Sequence, residues 1–147
     1  MIERQSWDEH FLLLADLTAT RSTCLKAQHG AVLVRDKRVI SQGFNGAPEG
    51  MEHCCVCLRK DLPSGSHPEW CMAVHAEQNA IINAARLGVS TVSSIIYITD
   101  KPCILCTKML INAGVELVRW HGGSVSPKVL FVVYRENVVK ETEVVQK

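Results

Sequence analysis

His75-Ala76-Glu77 and, further along, Pro102-Cys103-Ile104-Leu105-Cys106 combine the residue types that hold a soft-ligand metal and move protons beside it. Two thiolates and one imidazole supply three corners of a zinc tetrahedron and leave the fourth to water. Glu77, two residues past the histidine, can hover over that open corner without filling it. This layout suits hydrolysis, because zinc lowers the pKa of its water and a nearby carboxylate carries the protons. Each motif alone has a plainer reading: a redox pair for Cys103 and Cys106, a polar surface residue for His75. A closed structural zinc site, however, would need a fourth protein ligand and would leave Glu77 without a role.

The elements that must position these side chains are legible around them. Residues 74–87 are rich in helix formers and end at Gly88, which predicts a helix with His75 and Glu77 in its first turn. A second helix is predicted from Cys103 to Ala113, with Pro102 before it and Gly114 after it. Cys103 and Cys106 are three apart and so share a face. A helix start also favours thiolate over thiol.

Elsewhere, Ser6-Trp7-Asp8-Glu9 reads as a capping box opening a helix to about Thr20, with Phe11, Leu12, Leu14 and Leu17 or near neighbours inward. Residues 30–34 and 38–43 flank Asp36-Lys37 as a β-hairpin. A long irregular stretch runs from Asn45 to about Cys71, a length that marks a functional or tethered loop. Strands are expected at 94–99 and 115–120, completing a βαβαβ alternation with parallel neighbours in the second half. For the tail, a helix from Ser126-Pro127 to about Asn137 and a short strand at 141–145 are expected.

The 147 residues, 47% of them hydrophobic, suffice for one domain with one core over residues 1–147. Net charge is +1 and no Lys/Arg run exceeds two, which argues against a surface that tracks polynucleotide phosphates. No apolar stretch reaches membrane-spanning length, and no signal peptide opens the chain. Seven cysteines without a secretion signal suggest metal and reduced thiols, hence a cytosolic protein.

With these motifs in place, the chain resembles the cytidine deaminase superfamily and, within it, the deoxycytidylate (dCMP) deaminases. The His-x-Glu…Pro-Cys-x-x-Cys pattern identifies the superfamily. Narrower support comes from Arg21-Ser22-Thr23-Cys24, from Gly43-Phe44-Asn45-Gly46-Ala47-Pro48-Glu49-Gly50 with His53-Cys54, and from Ile111-Asn112-Ala113-Gly114-Val115. The resemblance covers roughly residues 5–120. It implies an α/β fold: three layers, α/β/α, around a mixed five-stranded sheet. It also implies homo-oligomers, commonly hexamers, and the reaction dCMP + H2O → dUMP + NH3, which feeds thymidylate synthesis.

The resemblance assigns the catalytic zinc to His75, Cys103 and Cys106, with Glu77 as proton shuttle while zinc-bound hydroxide attacks C4. Asn45 and Ala76 would contact the nucleotide, although Asn45 also suits an Asx turn. Arg21 and Lys26 are candidates for the 5′-phosphate, or else ordinary surface cations. A second, structural zinc would draw on Cys24, Cys54, His67 and Cys71, with Cys55, Cys57, His53 and Glu69 competing; buried free cysteines are the alternative. Some members answer to dCTP, carried with Mg2+, and to dTTP. The rival readings are another nucleoside or nucleobase deaminase of the superfamily and a zinc-stapled nucleotide-binding module without catalysis.

Overall fold

Two glycines decide how the layers stack. A Cβ on Gly30 would lie 2.1 Å from the Ala15 carbonyl oxygen, and one on Gly43 would lie 2.4 Å from the Ala80 amide nitrogen. Each glycine therefore lets one helix rest backbone to backbone on the sheet, one helix per face. The structure, a computed structural model, describes residues 1–145. Its sheet has the order β2-β1-β3-β4-β5, with β1 at Gly30–Arg35, β2 at Arg38–Phe44, β3 at Ser94–Ile98, β4 at Val115–Trp120 and β5 at Gly123–Val125. Only β3 and β4 run parallel; β1 pairs antiparallel with both β2 and β3, and β5 antiparallel with β4. The mixed five-stranded sheet expected from the resemblance is present.

Alternation along the strands separates two cores. Ala31, Leu33, Ile96, Ile98 and Val118 face Ala76 and Ala80 of α2 (Ala76–Arg86) and Leu110 of α3 (Ile104–Asn112). Val32, Val34 and Tyr97 face Phe11 and Ala15 of α1 (Trp7–Ala19) on the opposite side. This strict period of two is what a sheet covered on both faces requires. Charge adds to the second face. Asp8 Oδ2 pairs with Arg119 Nη1 at 3.0 Å and Asp16 with His121 Nε2 at 2.9 Å, while Tyr97 donates to Asp8 Oδ1 at 2.7 Å.

Most predicted elements are found, with local signals as read. Ser6 caps α1 in a full capping box with Glu9. Asp36 and Lys37, at φ 51° and 58°, make the tight hairpin turn between β1 and β2. Gly88 and Gly114 adopt the left-handed backbone just past the ends of α2 and α3.

Two expectations are corrected. Leu17 is 65% exposed; the inward positions of α1 are Phe11, Ala15, Thr18 and Ala19. The close seat on Gly30 admits only small side chains there. The tail carries no strand at 141–145, because α4 runs from Pro127 to Val145. No Pro or Gly interrupts those residues, and Glu and Lys favour helix in that stretch. The fifth strand is instead the short Gly123–Val125 segment, too brief to carry a periodic signal.

Candidate metal centre

Both ligand helices begin at anchored backbone. Val74 donates to the Gly46 carbonyl at 2.8 Å and accepts from Gly46 at 3.2 Å, tying the approach to α2 to the exit of β2. His75 is the N-cap of α2, and Gln78 Oε1 accepts from its N–H at 2.8 Å. Cys103 is the N-cap of α3, and its carbonyl accepts from both the amide and the hydroxyl of Thr107, each at 2.9 Å. These bonds fix the backbone at both helix starts, where the candidate donors His75 and Cys103 sit.

The result is a compact donor triad. His75 Nδ1 lies 3.7 Å from Cys103 Sγ and 3.4 Å from Cys106 Sγ, and all three donor atoms are within 4.8 Å of one another. A zinc tetrahedron with ordinary Zn–N and Zn–S bonds has N···S edges of about 3.6 Å. The residues therefore fit zinc in spacing and in donor softness. Among the described residues, no further His, Cys, Asp or Glu joins this group.

Electrostatics supports the same reading. A hydrogen bond from Cys106, then the neighbouring His75, pulls the Cys103 thiol down to about 4, against the opposing effect of burial. Cys106 is pushed up by sharing its proton with Cys103 and by burial. The Cys103 thiolate in turn raises His75, again against burial. Glu77 is 8% exposed, and burial raises its carboxyl above the usual range. Glu77 thus lies buried beside the triad, within hydrogen-bond reach of Cys106.

The predicted binding residues fare unevenly. Asn45 is buried, and both ends of its amide are engaged: Oδ1 accepts from His29 N at 2.7 Å and Nδ2 donates to the Ala27 carbonyl at 2.8 Å. It ties the 27–29 segment to the end of β2. Lys26 donates through Nζ to the carbonyls of Arg59 and Leu62, so its charge staples the long loop. Arg21 is exposed at the end of α1. Ala76 is fully buried at the first position of α2.

The residues proposed for a second metal separate into two groups. Cys24, Cys54 and Cys71, joined by Cys57 and Glu69, line one cavity of about 320 Å³. His67 instead pairs with Glu69 Oε1 at 2.9 Å and stacks on Trp70 with centroids 4.0 Å apart. His53 faces Thr23 Oγ1 at 3.0 Å. All seven cysteines are free thiols.

Two residues near the triad escaped the sequence reading. His29 is half-buried, with Nδ1 3.3 Å from Thr99 Oγ1; burial lowers its pKa, and His75 adds to that lowering. Tyr134 of α4 donates to the Pro102 carbonyl at 2.6 Å. Burial, then the negative charges of Cys103, Asp100 and Glu77, hold its hydroxyl protonated. The spacing of Pro127, Leu130 and Tyr134 on one helical face was the available signal, but nothing in the sequence says what that face touches.

Residues 5–121 match the family model described as the cytidine and deoxycytidylate deaminase zinc-binding region. The chain belongs to this family. Among curated relatives, ComE operon protein 2 of Bacillus subtilis is 41% identical over 80% of this chain and 60% of its own length. The deoxycytidylate deaminase of Mycobacterium phage D29 is 37% identical over 80% of this chain and 95% of its own. The chain therefore spans less than two thirds of the first of these relatives and nearly all of the second. The dCMP deaminase of cyanophage S-TIM5, solved in complex with dCMP and dUMP, superposes with a TM-score of 0.68. It is 28% identical, and the match covers 81% of this chain and 83% of that one. The zinc-binding character of the family and the His75–Cys103–Cys106 triad agree on one catalytic zinc.

Proposed function

We propose that this protein is a hydrolase that deaminates dCMP to dUMP and ammonia. The observation that carries the reading is Glu77, a buried carboxyl in the first turn of α2, two residues past His75 of a three-donor zinc set. A structural zinc site gains nothing from such a group, whereas a hydrolytic one requires it. The names of the phage D29 and S-TIM5 relatives support dCMP as the substrate.

His75, Cys103 and Cys106 would hold the zinc. When bound, the ion supplies a Lewis acid that lowers the pKa of a water molecule. Glu77 takes a proton from the nucleophilic water and delivers it to N3 of the cytosine ring; it then takes the remaining proton from the new C4 hydroxyl and delivers it to the amine, which leaves as ammonia. Its buried position keeps bulk water from competing for that proton. One water is consumed and one ammonia released, and C4 exchanges its amino nitrogen for oxygen.

Finer points belong to the same proposal. A second, structural zinc rests on the family resemblance alone: Cys24, Cys54 and Cys71 line one cavity, but among the described residues only His75, Cys103 and Cys106 bring three donor atoms together. A homo-oligomer, with six copies favoured, and effector binding of dCTP with Mg2+ or of dTTP rest on the family resemblance. A cytosolic location is supported by seven free thiols. No described helix is long and apolar enough to cross a membrane.

The deciding experiment is a substrate panel of dCMP, CMP, deoxycytidine, cytosine and adenosine followed by ultraviolet absorbance. Turnover should be greatest for dCMP. Equal turnover of deoxycytidine and dCMP would overturn recognition of the phosphate, and no turnover of any cytosine compound would overturn the enzyme reading.

A further inference from the structure

We infer that Tyr134, on the terminal helix outside the family-matched segment, is a positioning residue for the metal ligand Cys103. This rests on His75, Cys103 and Cys106 being the zinc ligands. Tyr134 Oη donates to the Pro102 carbonyl at 2.6 Å, from a helix that packs along α3. That carbonyl belongs to the peptide plane joining Pro102 to Cys103, so fixing it fixes the amide nitrogen of Cys103 and the direction in which its Cβ leaves the backbone. On the other side of the residue, the Cys103 carbonyl is held by the Thr107 amide and hydroxyl. Cys103 is thus clamped at both of its peptide bonds, once from α3 itself and once from α4.

Local packing restricts the alternatives. The Pro102 side chain is fully buried and its φ is fixed by the ring, so rotation of that peptide plane is the remaining freedom. Pro127 and Leu130 are buried on the same face of α4 and set the height at which Tyr134 meets Pro102. Lys101 Nζ stands 5.2 Å from the centre of the Tyr134 ring. A cation over the ring face draws electron density from the phenol and strengthens its hydroxyl as a donor. Thr107 and Tyr134 together act as the outer support that metal ligands commonly need, where loss of one partner costs about 10–100-fold in affinity or rate.

The test compares zinc-loaded wild type with Tyr134→Phe, which keeps the ring and removes only the hydroxyl. Three quantities are read: the rate of zinc release to a chromogenic chelator, the melting temperature of the metal-stripped protein, and kcat and KM for dCMP. Zinc release should be about tenfold or more faster and kcat lower by a similar factor. KM and the metal-stripped melting temperature should change little. Wild-type release with a lowered metal-stripped melting temperature would mean that the hydroxyl only stabilises the helix, and would overturn the inference. Should Tyr134→Phe not fold, Lys101→Met provides the second arm and should accelerate release by about twofold; unchanged release there would overturn it. A wild type that binds no zinc would overturn both this inference and the proposed function, whereas a zinc-loaded wild type matched by both variants would overturn this inference alone.

Discussion

Gly43 of β2 and Ala80 of α2 meet backbone to backbone. A Cβ on Gly43 would lie 2.4 Å from the Ala80 amide nitrogen and 2.5 Å from the Ala76 carbonyl oxygen. The helix that begins at His75 is thereby seated on the sheet at its second turn, and the imidazole's height above the sheet follows from that seat. Gly43→Ala should displace α2 and destabilise the zinc-loaded protein by about 1–3 kcal/mol in chemical denaturation. Wild-type stability in that variant would contradict the close approach.

Glu77→Gln keeps the shape of the side chain and removes its proton chemistry. Deamination of dCMP should fall by about 10²–10⁴-fold or more while zinc content, measured by metal analysis, stays at the wild-type value. Full activity in this variant would rule out the proton-transfer role. Cys103→Ser should do the reverse at the start, losing the metal first and activity as a consequence.

Burial of Glu77 also has a consequence for stability that can be read without metal. Its folded-state pKa is raised above the 4.5 of an exposed carboxyl. Between those two values the folded protein binds more protons than the unfolded chain, so stability falls as pH rises through the folded pKa. The contribution is fully present below the unfolded value. In chelator-treated protein, Glu77→Gln should therefore melt above wild type at about pH 7, and the two should converge near pH 4. A constant difference across that range would show that ionisation of Glu77 is not its source.

Asn45 satisfies His29 N–H and the Ala27 carbonyl from one buried amide. Asn45→Ala leaves both backbone groups without that partner and should cost about 2–3 kcal/mol in thermal or chemical unfolding. A large rise in KM for dCMP at unchanged stability would instead assign the side chain to the nucleotide.

The metal centre was legible because its geometry is local. Cys103 and Cys106 are one helical step apart, His75 and Glu77 share a helix start, and Gly88, Pro102 and Gly114 punctuate both helices. What could not be read depends on which surfaces meet. Lys26 looks like a free cation until the carbonyls of Arg59 and Leu62 are placed around it. Leu17 fits an apolar helical stripe, but the Gly30 seat reserves the inward face of α1 for Ala15, Thr18 and Ala19. Valines at 132 and 133 lend the tail a strand-like composition, yet it is helical throughout its described length. Tyr134 carries no motif at all, and its relation to Pro102 exists only in three dimensions.

Asp8 and Asp16, two helical turns apart on α1, hold Arg119 and His121 on and just beyond β4. The α1 layer therefore adds half-exposed polar contacts to its own apolar packing, while the layer carrying His75 and Cys106 is fastened by alanine, leucine, isoleucine and valine packing. Concentrated sulfate should tighten the apolar packing of both faces while screening the Asp8–Arg119 pair on the α1 side. Salt therefore probes the polar trim of the α1 side without unseating the helix, whose hold on the sheet is Phe11 and Ala15 against Val32, Val34 and Tyr97.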